Sequence, residues 1–160
     1  MTPRAGSPPA AAWARVAAVL AGVLAADQLV KALVTSSLAR GEERELVLGI
    51  KLVNVRNSGV AFGGLQDAKE IVAVVIVVAL IALLVYFARA GGRRWVWLPT
   101  GMLLGGALGN IVDRLREGAV IDFLKLPHWP AFNVADSAIT VGVIVLVLVM
   151  ERGDAARRPA

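Results

Sequence analysis

Two aspartates fourteen residues apart, Asp122 in "GAVIDFLKL" and Asp136 in "FNVADSAITVGVIVLVLVM", sit in company that makes a carboxylate expensive. Val120, Ile121, Phe123 and Leu124 flank the first, and the second heads a run suited to lipid. A carboxylate in such surroundings needs solvation, a partner or a chemical purpose. Two carboxylates that meet in a partly dry place cannot both ionise cheaply, so one keeps a proton while the other activates water. That is the chemistry of an aspartic peptidase: the base takes a proton from water attacking an amide carbonyl, and the acid serves the oxygen and then the departing nitrogen. Spacing alone leaves the pairing open, since Asp113 could equally meet Asp136.

Competing accounts of these residues are few. Asn133 as a helix N-cap, with Asp136 favoured by the helix dipole, explains both without any catalysis. Ser137 beside Asp136 raises a serine mechanism, but the single His lies in a surface-like "PHWP". Cysteine is absent, which removes disulfides, thiol nucleophiles and thiolate metal sites, and one His without an HExxH leaves no zinc hydrolase set. No cofactor or metal is expected.

The elements that must position these residues belong to a membrane protein. The 160 residues are 58% hydrophobic and 18% charged, with a mean hydropathy of +0.70. A soluble domain carries about 25% charge. Four segments are long enough to span a hydrocarbon layer, at about 15–36, 70–87, 95–112 and 132–150. The third is the weakest, with a Pro and several Gly, residues that spans tolerate better than soluble helices. The fourth begins near Phe132 rather than at Ser137, because only 14 residues, about 21 Å, separate Ser137 from Met150. The first could pass for a signal peptide, but its run continues through Asp27, Gln28 and Lys31, so it reads as a retained helix. Residues 1–14 read as a disordered tail, rich in Pro, Gly and Ala, and 151–160 as a second tail.

Arginine placement orients the spans. Arg4, Arg15, Arg89, Arg93, Arg94, Arg152, Arg157 and Arg158 fall on one side, against only Glu151 and Asp154. Both termini and the "RAGGRR" loop are therefore expected in the cytoplasm. The net charge of +5 is read as topology, and no nucleic-acid module accompanies it. The two long connections are exoplasmic in this scheme. The first, 38–69, alternates in "ELVLGIKLVNV", which predicts one or two short strands forming a small cradle on the membrane surface. The expected fold is thus an integral membrane, mainly α-helical protein with four transmembrane helices and a small exoplasmic β cradle, 15–150 forming one domain.

The polar residues of the spans converge on one layer. Asp27 and Lys31 are four apart toward the exoplasmic end of the first span, and Asn110, Asp113 and Arg114 follow one helical spacing in the third, near Gly105, Gly106 and Gly109. A small ion-coupled transporter or channel would spread polar residues through the depth of the membrane, and a non-catalytic scaffold would need no carboxylate pair.

At this point the chain resembles the bacterial lipoprotein signal peptidases, also called signal peptidase II or prolipoprotein signal peptidase. Four blocks carry the resemblance in order: "DQLVK" at 27–31, "NSGVAFG" at 57–63, "GGALGNIVDRLREGAVIDF" at 105–123 and "FNVADSAI" at 132–139. The resemblance implies that Asp122 and Asp136 are the catalytic dyad. It implies that Asn57, Asn110, Arg114 and Asn133 line the site and hold substrate backbone. Asp27 and Lys31 become supporting structure, Asp113 an orienting acid, and Phe62 part of a rim over the cleft. It further implies cleavage of prolipoproteins immediately before a diacylglyceryl-modified Cys in the bacterial inner membrane. Membrane lipids and globomycin-like cyclic peptides are the other expected partners, nucleic acid is not, and the working form is expected to be a monomer.

Overall fold

A computed structural model describes residues 8–58, 78–89 and 95–155. Helix α1 spans Ala10–Ser37, 28 residues. It starts where Pro9, in extended conformation, hands over to three alanines, a strong helix-forming run. At its other end the hydroxyls of Thr35, Ser36 and Ser37 bond carbonyls three or four residues back, and Leu38 turns extended. Helix α2 covers Val78–Arg89 and α3 Trp97–Glu117, the latter stopped by Gly118 in the left-handed conformation with its N–H on the Arg114 carbonyl. Helix α4 runs Val134–Ala155. Among the described helices, α1 and the Val134–Arg152 part of α4 are long and apolar enough to cross a membrane.

Three strands form an antiparallel sheet in the order β1 (Glu43–Val47), β2 (Ile50–Asn57), β3 (Val120–Lys125). Leu48 and Gly49 make the two-residue β1–β2 turn with φ of 52° and 76°, the sign that matches the twist of a tight hairpin. Buried Asn54 ties the sheet to the end of α1: its amide donates to the Leu38 carbonyl at 2.8 Å, and its own carbonyl accepts from Gly41. Glu43 braces the strands, 2.8 Å from both Lys51 and Lys125.

Helix α3 lies between α1 and α4 because its glycines let both approach. A methyl added at Gly101 or Gly105 would meet α1 at Val19 or Leu20, and one at Gly106 would meet α4 at Ala135. Far from the sheet, Val16, Leu83, Phe87, Val96 and Leu104 form a core, with Trp13 edge-on to Phe87. Next to the sheet, Val34 and Leu38 pack on Phe123. The outward faces stay apolar: Leu29, Leu33, Val143, Ile144 and Val147 are all about half exposed or more.

Helices occupy the described parts of the expected spans, with shifted ends. Residues 10–14 and 151–155 were expected in tails, but are helical: the alanines before Arg15 continue the turns of α1 without a breaker, and α4 runs past Met150 through Gly153, whose cost of about 1 kcal/mol does not stop it. Helix α3 runs five residues past the expected end at 112, until Gly118 offers a left-handed stop. Helix α2 continues to Arg89, while 70–77 and Phe62 lie outside the described residues.

Candidate active site at the sheet end of the bundle

The register of β2 against β3 places Val55 opposite Asp122 and Asn57 opposite Val120, so Asn57 and Asp122 are diagonal neighbours on one face. The Asn57 amide donates to Asp122 Oδ2 at 2.9 Å. Beyond β3 the chain folds back, and Phe132 exchanges backbone bonds of 2.9 Å with Leu124. That bridge delivers Asn133 beside the strand, where its amide donates to Asp122 Oδ1 at 2.9 Å and to Asn110 Oδ1 at 3.1 Å.

Asn133 is also the N-cap of α4. Its side-chain oxygen accepts the Asp136 N–H at 2.9 Å, and Asp136 Oδ2 accepts the Asn133 N–H at 3.3 Å. This reciprocal pair is a capping box with Asp136 at its third position. The capping account of the opening residues is therefore correct, but it does not exhaust them, because the same Asn133 reaches Asp122 and the other oxygen of Asp136 accepts from Asn110 at 2.8 Å. One asparagine joins both aspartates.

Asp122 is 1% exposed, whereas Asp136 is half-buried. Burial lifts the Asp122 carboxyl to about 6; the negative Asp136 nearby pushes the same way, and the bonds from Asn57 and Asn133 oppose it.

Behind the asparagines lies a buried ionic group. Lys31 sits 2.7 Å from Asp27 and 2.7 Å from Asp113, all three nearly inaccessible. Its ammonium also donates to Asn110 Oδ1 at 3.3 Å. Gln28 closes the group, donating to Asp113 at 3.0 Å and to Asp27 at 3.3 Å. Removing Lys31 would leave both acids buried without their counter-charge, which costs about 3–5 kcal/mol, whereas losing one acid leaves the lysine paired with the other. Among the described residues, no buried side-chain N or O lacks a partner, and no group of three His, Cys, Asp or Glu is placed to hold a metal ion.

Of the residues singled out in the sequence, the structure brings Asn57, Asn110, Asn133, Asp122 and Asp136 into one hydrogen-bonded cluster, with Asp27, Lys31 and Asp113 directly behind it. Asp113 does not bond Asp136 in the described contacts; it turns toward Lys31 and the Ile121 N–H. Arg114 is exposed, with a 3.3 Å bond to the Asn110 carbonyl. Sequence reasoning gave Gln28 no role, although an amide between Asp27 and Lys31 in an apolar run was the signal. It also passed over Asn54 and Arg56, which bond each other at 2.6 Å and carry no periodic signature.

Comparisons with known proteins show the family of the chain. A family model described as signal peptidase (SPase) II matches residues 19–152. The chain is similar to a lipoprotein signal peptidase of Halothermothrix orenii, 39% identical over 79% of this chain and 88% of that one. A lipoprotein signal peptidase of Moorella thermoacetica is 41% identical over 86% of this chain and 94% of the relative. Among solved structures, a bacterial membrane enzyme determined by the in meso method at 1.9 Å resolution aligns with a TM-score of 0.75 and 27% identity, covering 84% of this chain and 91% of that chain. With five-sixths of its length inside the family model, and relatives at this identity over nearly their whole length, the chain belongs to the signal peptidase II family.

Proposed function

We propose that the chain removes signal peptides from prolipoproteins as an aspartic peptidase, with Asp122 and Asp136 as its dyad, cutting immediately before a diacylglyceryl-modified Cys. Family membership carries the peptidase activity on prolipoproteins. The observation that supports the dyad is Asn133, whose amide and backbone hold both carboxylates at once.

In this reading the more buried Asp122 starts protonated and Asp136, in the first turn of α4 where the helix dipole favours negative charge, starts ionised. Asp136 takes a proton from water as its oxygen attacks the scissile carbonyl carbon, and Asp122 gives its proton to the carbonyl oxygen. Collapse of the tetrahedral intermediate breaks the C–N bond. The nitrogen receives the proton held by Asp136, and Asp122 regains one from the hydroxyl, so the pair returns to its starting state. Asn57, Asn110 and Asn133 hold the carboxylates in place, and Arg114 and Phe62 remain candidates for substrate contact. An apolar groove of about 480 Å³, lined by Leu80, Leu83, Ala107, Ile139 and Val143, runs from one turn beyond Asp136 between α2, α3 and α4, and offers acyl chains a path beside the site.

The same reading gives the chain four spans in the bacterial inner membrane, residues 15–150 as one peptidase domain, both termini cytoplasmic, and the sheet as an exoplasmic cradle. The apolar outer faces, and the position of the buried Asp, Asn and Lys side chains of the described residues at the sheet end, support it. The test is a gel-shift assay of a lipid-modified prolipoprotein with wild type, Asp122→Asn and Asp136→Asn. Each variant keeps the size of its side chain but loses the exchangeable proton, so cleavage should fall by about 10²- to 10⁴-fold, and the double variant should be little worse. Near-normal cleavage by either folded variant removes the dyad.

A further inference from the structure

The buried ionic group contacts the backbone as well as side chains, at two positions that matter. Asp27 Oδ1 accepts the N–H of Ala135 at 2.9 Å. Asp113 Oδ2 accepts the N–H of Ile121 at 3.0 Å. Ala135 and Ile121 are the residues immediately before Asp136 and Asp122. Both gripping carboxylates are held by the same ammonium, at 2.7 Å each. That ammonium also bonds Asn110 Oδ1, which fixes which end of the Asn110 amide is oxygen and so turns its NH₂ toward Asp136.

The carboxylates of Asp27 and Asp113 thus take part of their hydrogen bonding from the two backbone amides that adjoin the aspartates, which ties the ionic group to both of them. We propose that Lys31, with Asp27 and Asp113, forms a positioning clamp for the dyad: through the Ala135 and Ile121 amides it sets the separation of the Asp136 and Asp122 backbones, and through Asn110 it sets the orientation of the Asp136 carboxylate. The inference rests on the dyad reading above. Helix α1 contributes no group to the water or the peptide bond, yet it governs the geometry of both aspartates. Because a misplacement of about 1 Å at a catalytic group can cost about 100-fold, the clamp acts on turnover rather than on substrate affinity.

The test compares Asp113→Ala with Asp113→Asn in the full-length protein, in detergent or lipid, on a diacylglyceryl-modified prolipoprotein. Asp113→Ala leaves Lys31 paired with Asp27, so no charge is stranded, but it releases Ile121. Its kcat should fall roughly 10- to 100-fold with KM within about threefold of wild type. Asp113→Asn keeps an oxygen for both Lys31 and the Ile121 N–H, and should recover most of that loss. Hydrogen exchange at the Ile121 amide should speed up in the Ala variant and stay slow in the Asn variant. If Asp113→Ala does not fold, Asp27→Ala asks the same question at the Ala135 grip, with Lys31 still balanced by Asp113. A folded Ala variant with normal kcat and only a lower melting temperature overturns the clamp, as does an Asn variant no better than Ala. Asp122→Asn is run in parallel: if it is inert while the Ala variants turn over normally, only the clamp fails, whereas an active Asp122→Asn removes the dyad and the clamp together.

Discussion

Asn133 caps α4, accepts from and donates to Asp136, and donates to Asp122, so the state of one carboxyl is felt by the other through a single amide. Burial first, then the neighbouring Asp136, raises Asp122 to about 6, which means the fold favours its protonated form. The stability this group lends is therefore present below its unfolded value of 3.8 and is lost as pH rises through about 6. Activity that needs the proton on Asp122 follows the same direction. The kcat/KM of the free enzyme should fall along an alkaline limb that starts near pH 6, where Asp122 loses its proton. A pH profile flat from 5 to 8 would contradict the assignment of Asp122 as the acid (about three units being ample to resolve such a limb).

The glycines of α3 determine how closely the elements meet. A methyl at Gly109 would stand 2.6 Å from Asp27 Oδ2 and 3.3 Å from the Ala135 Cβ, directly against the ionic group. Gly109→Ala should cost about 1–3 kcal/mol of stability by overpacking and should depress turnover as well. Gly22→Ala, on a face of α1 with nothing within 4 Å, should be neutral or stabilising by up to about 1 kcal/mol. Thermal unfolding and turnover of the two variants check this, and equal tolerance would mean that α1 and α3 do not pack at this distance. Much of this element scale could be read in the sequence: the cluster of Gly105, Gly106 and Gly109, the alternation in β2, and the polar level shared by Asp27, Asn110 and Asn133. What could not be read were interactions routed through backbone amides, such as Asp27 on Ala135, because a main-chain donor has no residue type to recognise. The helix ends were misjudged as well, since Ala10 to Ala12 are strong helix formers, Gly153 does not end α4, and Gly118 does end α3.

For the whole molecule, the polar cluster, the ionic group and the sheet all lie at one end, and the opposite end holds the Val16, Phe87 and Leu104 core. In the sequence, arginines crowd the ends of the chain and the stretch around Arg93. A reporter that fluoresces only in the cytoplasm, attached after Pro159, should therefore be bright. A dark reporter on a stably expressed fusion would sink the four-span arrangement and its exoplasmic site.

The Leu124–Phe132 bridge has a bearing on how the site comes together as the chain folds. It closes a loop of only a few residues, a contact whose entropic cost is small and which forms in about 10–100 ns. Asp122 and Asp136 are thus neighbours by local chain geometry, before distant parts need to arrive. The groups that hold them are far away in sequence: Lys31 is 79 residues from Asn110, and Asp27 is 108 from Ala135. The contact that brings the two aspartates together is therefore entropically cheap, whereas the contacts that orient them in the proposed dyad span most of the chain and require α1 to be docked.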